Sequence, residues 1–206
     1  MPVRLLLVST NLAVAWLERT VRALASDCGR AAVVTTAEPI GKERSRNAML
    51  ARAAVAGAGV ARQTYFDFDE RPATELDDFD CVVLASGNPF YLLGSLHRSG
   101  GDEAIERFLA SGRPLLACGA GALVLGRSLW PVRAFDSSVS PLGTGHPAAL
   151  SLVPYSLLIH ANRWRSRLVD YAARLESVRN LCGPVVELDD DEALLGSGAE
   201  PVRLAA

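Results

Sequence analysis

The order of strand-like and helix-like stretches in this 206-residue chain predicts an α/β fold: a parallel sheet with helices on both faces, three layers in the flavodoxin-like manner. Three observations lead there. The strand-like stretches are short and nearly all apolar, as strands covered on both faces must be. Segments with helical spacing stand between the first of them. Half the residues are hydrophobic and 21% are charged, a balance that excludes a disordered or fibrous chain. The length suits one domain over residues 1–206, with ample room for a core.

"VRLLLVS" (Val3–Ser9) opens the pattern as a first strand. A helix is expected from about Leu12 to Ala25, where Val14, Leu17, Val21 and Leu24 recur at helical spacing. "AAVVTTA" (Ala31–Ala37) is short and β-branched, a second strand. Pro39 introduces a helix to about Ala56, and "VARQTYFDF" is the third strand. "FDCVVLAS" (Phe79–Ser86) and "PLLAC" (Pro114–Cys118) are the fourth and fifth. Between these two lie a short segment from Pro89 and the amphipathic "DEAIERFLASG", ended by Gly112. Further on, "SLLIH" suggests a strand, "RWRSRLVDYAARLES" a helix, and "PVVELDDDEALLG" a closing hairpin around an acidic turn.

Composition narrows the function. A formal net charge of −2 gives no electrostatic basis for nucleic-acid binding. No apolar run approaches the about 18 residues of a membrane span. The apolar run after Arg4 is too short for the core of a signal peptide, so a cytoplasmic protein is expected. Cys28, Cys81, Cys118 and Cys182 lie far apart, with no CxxC pair and no metal-ligand spacing. Neither metal nor cofactor is expected. The acidic run Asp189–Glu192 has the charge of a calcium loop without its spacing or glycine, and reads as a turn.

Sites in parallel sheets gather at the carboxyl ends of the strands. That rule singles out Ser9–Asn11, Ser86–Asn88 and Cys118–Ala122. In "PLLACGAGALVLG" (Pro114–Gly126) a buried strand runs through a small-residue turn into a helix, the pattern of a nucleophile elbow.

Four stretches together resemble the peptidase S51 family, the peptidase E (aspartyl dipeptidase) and cyanophycinase group, whose fold is similar to class I glutamine amidotransferases. "SGNPFYLLGSL" (Ser86–Leu96) resembles the family's glycine–glycine–asparagine loop. "LLACGAGALVLG" is similar to its strand and elbow, "LSLVPYSLLIHANRWRSRL" (Leu150–Leu168) to its run into a catalytic histidine, and "VELDDDEALLG" to its C-terminal acidic hairpin. The resemblance implies that the nucleophilic serine falls on Gly119, the histidine on His160 and the acidic triad member on Asp136. It places the oxyanion donors at the backbone N–H groups of Gly87 and Ala120. Apart from the resemblance, substrate contacts are expected at Asn88, at Arg163, whose charge would suit an acidic substrate, and at the loop residue His146. A small peptide or amino-acid-derived ligand follows, with a homodimer left open.

The residue types fit acyl transfer. A histidine removes the hydroxyl proton, a carboxylate fixes its tautomer, and backbone N–H groups hold the developing oxyanion. The elbow, however, lacks a hydroxyl. Cys118 is the alternative nucleophile, but strand alternation turns it away. A shifted register would put bulky Leu116 where the elbow demands a small residue, so a buried, inert thiol is the leading reading. Bland readings stand beside the sharp ones. His160 could be a core histidine, Asp136 a turn residue, Asn88 a helix cap before Pro89, and Arg163 part of a solvated face. Three functions stay open. The protein is an inactive or peptide-binding relative of S51 hydrolysing enzymes for Asp-X or other small acidic peptides, an enzyme using Cys118 or a His160-activated water, or a serine dipeptidase artificially substituted at 119.

Overall fold

Strand β1 (Leu5–Val8) is buried at every position and lies inside the sheet. A computed structural model describes residues 4–139 and 147–206 of the chain. The chain continues through α1 (Glu18–Ala25), β2 (Arg30–Val34), α2 (Arg46–Gly57), β3 (Arg62–Phe66), β4 (Cys81–Leu84), α3 (Pro89–Ser99), α4 (Gly101–Ala110) and β5 (Leu115–Cys118). Then come α5 (Ala120–Leu125), α6 (Trp130–Phe135), β6 (Ser156–Ile159), α7 (Ala161–Arg167), α8 (Tyr171–Cys182), β7 (Val185–Leu188), β8 (Glu192–Leu195) and β9 (Val202–Ala205).

The main sheet has seven strands in the order β3-β2-β4-β5-β1-β8-β9. Its first five members pair in parallel, whereas β8 runs antiparallel to β1 and β9 antiparallel to β8. Side chains alternate between two cores. Leu5, Leu7, Leu84 and Ala117 face the core that takes Leu92, Phe108 and Val124 from α3, α4 and α5. Leu6, Val8, Leu116 and Cys118 face the core that takes Val21 and Val55 from α1 and α2. Sheet and helices therefore form three layers. Among the described residues no helix is long and apolar enough to cross a membrane.

Two predicted elements change form. The helix expected from Leu12 begins at Glu18, because Asn11 Oδ1 accepts from Ala13 N–H (3.0 Å) and holds a local turn there. The helix expected over "RWRSRLVDYAARLES" is two helices, since Leu168 leaves helical geometry at φ −110°, ψ 116°. The closing hairpin is also corrected. β7 pairs in parallel with β6 in a separate two-stranded sheet, and the antiparallel hairpin is β8–β9. The acidic turn thus carries the chain from one sheet to the other.

Candidate active site

Gly119 sits at the sharp turn from β5 into α5, at φ 48° and ψ −112°. Glycine adopts that backbone without the Cβ clash other residues meet. Two residues on, a Cβ at Gly121 would lie 2.5 Å from both the Cβ and the carbonyl oxygen of Leu84. Only glycine lets α5 approach β4 so closely, which is the small-residue requirement of an elbow.

The neighbouring strand end supplies a residue to which the sequence reading gave no role. A Cβ built on Gly119 would stand 2.2 Å from Ser86 Oγ. The Ser86 hydroxyl occupies the space an elbow side chain would need, and Ala120 N–H points to it at 3.4 Å. After it, Asn88 N–H donates to Ala37 O (2.7 Å), and Asn88 Oδ1 caps α3 by accepting from Phe90 and Tyr91 N–H. A Cβ on Gly87 would fall 2.3 Å from Ala37 O, so this loop is fixed at that glycine.

His160 follows β6, with φ 57° and ψ 32°, a left-handed conformation costly for a residue with a Cβ. Its backbone N–H donates to the buried Ser9 Oγ (2.9 Å). Its Nδ1 lies 2.5 Å from Asp190 Oδ1. The pairing has a structural cause. β6 and β7 run in parallel with Ile159 opposite Leu188, so residues just beyond both strands emerge side by side. An ionised carboxylate can only accept, so Nδ1–H is the donor of this pair, and in the neutral imidazole Nε2 is then the acceptor. Burial alone would raise the Asp190 carboxyl, but hydrogen bonds from His160 and Arg163 outweigh it and hold the carboxyl below its ordinary value.

Asp136 does not meet the imidazole, and Asp190 is the carboxylate found there. Asp136 Oδ1 instead accepts from the backbone N–H and hydroxyl of Ser138, because a nearby local turn satisfies it. Arg163 Nε is bound to Asp190 Oδ2, which places its charge on the carboxylate rather than in the cleft. Cys118, weighed as an alternative nucleophile, is the buried thiol that the leading reading expected. It points into the core on the far face of the sheet, and burial pushes its thiol up to about 12. His146 lies outside the described residues.

Ser86, Gly87, Ala120 and His160 line one cleft of about 510 Å³, part of it open to solvent. Its remaining wall is mostly apolar, including Leu123, Val132, Phe135, Leu158 and Trp164. Asp136 is among the lining residues, and among the described residues no lysine or arginine lines it. Metal-ligating clusters are likewise absent among the described residues. Asp190 and Ser86 were the residues missed from sequence. Asp190 stands within a run of three aspartates that reads as a solvated turn, and Ser86 fell in a strand end singled out for its place in the sheet without being given a chemical role.

The model of peptidase family S51 matches residues 54–202. Over 89 residues the chain is 32% identical to an uncharacterized peptidase of Listeria monocytogenes, a stretch covering 43% of each chain. Over 78 residues it is 33% identical to peptidase E of Streptomyces coelicolor, covering 38% of this chain and 32% of that one. The matched stretches span less than half the length of these curated relatives. Among solved structures, a provisionally named peptidase E protein of Listeria monocytogenes superposes with a TM-score of 0.77 at 20% identity, covering all of both chains. A peptidase from an acI-B1 Actinobacterium gives 0.66 at 17%, covering 98% and 93%. At these identities the likeness is one of fold.

Proposed function

Because the chain belongs to peptidase family S51, we propose that its cleft is a small-peptide site of hydrolase design in which residue 119 no longer carries the reaction. One observation supports this most directly. Gly119 offers no hydroxyl, and the space for one is filled by Ser86, while His160, paired with Asp190, lines the same cleft as Ser86. Hydrolysis by an elbow serine is therefore closed to this protein. The groups around it remain suited to a peptide carbonyl: Ala120 and Gly87 N–H to receive its oxygen, and His160 Nε2 as a proton acceptor.

The cleft favours a substrate other than Asp-X. An aspartyl side chain would enter an apolar space with no cation among the described residues, and burying an unpaired carboxylate is costly. An apolar side chain removes surface from water at no such cost. Asp136, which lines the cleft, suits the α-ammonium of a short peptide. Isothermal calorimetry with a leucine-initiated and an aspartate-initiated dipeptide tests this. The leucine peptide is expected to bind at least about 10-fold more tightly, the scale of a few buried methylenes. Equal or tighter binding of the aspartate peptide would refute it.

A further inference from the structure

The hydroxyl absent from residue 119 is present at residue 86, and the two side chains compete for one space: a Cβ at 119 would lie 2.2 Å from Ser86 Oγ and 2.9 Å from Ser86 Cβ. We infer that Ser86 is the nucleophile of this site, an inference that rests on the peptide reading of the cleft.

Placement supports the role. Ser86 follows β4 at the carboxyl end of the sheet, is partly exposed, and lines the cleft with His160. Two oxyanion donors bracket it. Ala120 N–H points directly at Oγ (3.4 Å). Gly87 N–H belongs to the next residue in the chain, the relation an elbow nucleophile has to its own donor, and it has no partner among the described residues. No hydrogen bond joins Ser86 Oγ to the imidazole in this structure. The role requires a turn about the Ser86 Cα–Cβ bond that takes Oγ off Ala120 N–H to the imidazole lining the same cleft, leaving that N–H for substrate. Catalytic hydrogen bonds commonly tighten only when substrate is bound.

The chemistry balances. Ser86 Oγ bonds to the carbonyl carbon of the peptide as its proton passes to His160 Nε2, and the carbonyl oxygen becomes an oxyanion at Ala120 and Gly87 N–H. The C–N bond then breaks, and the leaving amine takes the proton from Nε2. Water, deprotonated by the same nitrogen, attacks the acyl ester, releasing the carboxylic acid and restoring the hydroxyl. Asp190 holds the imidazole throughout as a positioning residue.

A fluorophosphonate probe, read by intact mass and peptide mapping, tests the inference. The wild type is expected to carry one adduct on Ser86. Ser86→Ala should take no adduct while melting like the wild type and still binding the leucine dipeptide by calorimetry. His160→Ala should slow labelling by about 10²-fold or more, the scale of a lost general base. The exchange variant Ser86→Gly/Gly119→Ser should label at position 119 instead. An unlabelled wild type beside a labelled exchange variant would overturn the inference and leave the peptide reading standing. So would labelling that survives in Ser86→Ala. Failure of the wild type to bind any dipeptide would remove the peptide reading, and this inference with it.

Discussion

Gly119→Ser is the substitution that most directly probes how positions 86 and 119 share space. The new Cβ would stand 2.2 Å from Ser86 Oγ and 2.9 Å from Ser86 Cβ, whereas real Cβ contacts essentially never fall under 3.0 Å. Overpacking of this kind costs about 1–3 kcal/mol. Holding serine at φ 48° costs about 1–3 kcal/mol more. The single variant should thus lose about 2–6 kcal/mol of stability, the sum of those two effects. Removing the Ser86 side chain relieves the first part and leaves the second. Ser86→Gly by itself should cost no more than about 1 kcal/mol, the usual price of added backbone freedom. The double variant should therefore be more stable than the sum of the singles by about 1–3 kcal/mol, well outside the roughly 0.5 kcal/mol scatter of independent sites. Urea unfolding of the four proteins at neutral pH measures this coupling. Additivity within that scatter would mean the two side chains do not compete for one space, and the argument for an exchanged hydroxyl would lose its physical basis.

Two further outcomes follow from the same geometry. Cys118, buried with its thiol raised to about 12, should resist iodoacetamide in the folded protein at neutral pH. It should react only under unfolding conditions, and fast native alkylation mapped to Cys118 would contradict its placement. The second concerns acid stability. A carboxyl lowered on folding adds stability that is full above its unfolded value of about 3.9 and is lost as pH falls through its lowered folded value. Asp190 is such a group. The stability gap between wild type and Asp190→Asn should narrow as pH falls below about 4, where the unfolded carboxyl takes its proton. Urea midpoints across that range test it, and a constant gap at every pH would refute it.

The sequence made the central strands legible because burial on both faces leaves a local mark, an apolar run of four or five residues. His160 was legible for a similar reason, standing at the end of one such run. Its partner was not. The contact between His160 and Asp190 spans 30 residues and exists because β6 and β7 pair in parallel, a relation no local pattern records. The acidic run that contains Asp190 looked like a hairpin turn because charge predicts solvent exposure, and β7 and β8 are in fact in different sheets. Asp136 drew attention by lying between elbow and histidine, but the Ser138 hydroxyl and N–H lie two residues away and satisfy it locally. Arg163 was weighed between a contact for an acidic substrate and a solvated face, and the structure gives its charge to Asp190.

The same reasoning explains why a missing serine in the elbow is weak ground for inactivity. An elbow residue matters through where it places an oxygen, not through its position in the chain. Here Leu84 pairs with Ala117, so the ends of β4 and β5 emerge together and residues 86 and 119 open into one volume. A hydroxyl entering that volume from either strand end meets the same Ala120 N–H and shares a cleft with the same imidazole. What differs is backbone strain. Serine at 119 must hold a conformation suited to glycine, while serine at 86 leaves that turn to glycine itself. Moving the hydroxyl to 86 therefore avoids the about 1–3 kcal/mol that an elbow serine stores, and asks for one side-chain rotation in return. If that rotation is the limiting step, Ser86→Cys, whose larger sulfur and longer bonds extend its reach, should react with iodoacetamide faster than Cys182, the half-exposed thiol of the same chain. Slower reaction at position 86 would mean that the side chain is locked against Ala120 and does not reach the base.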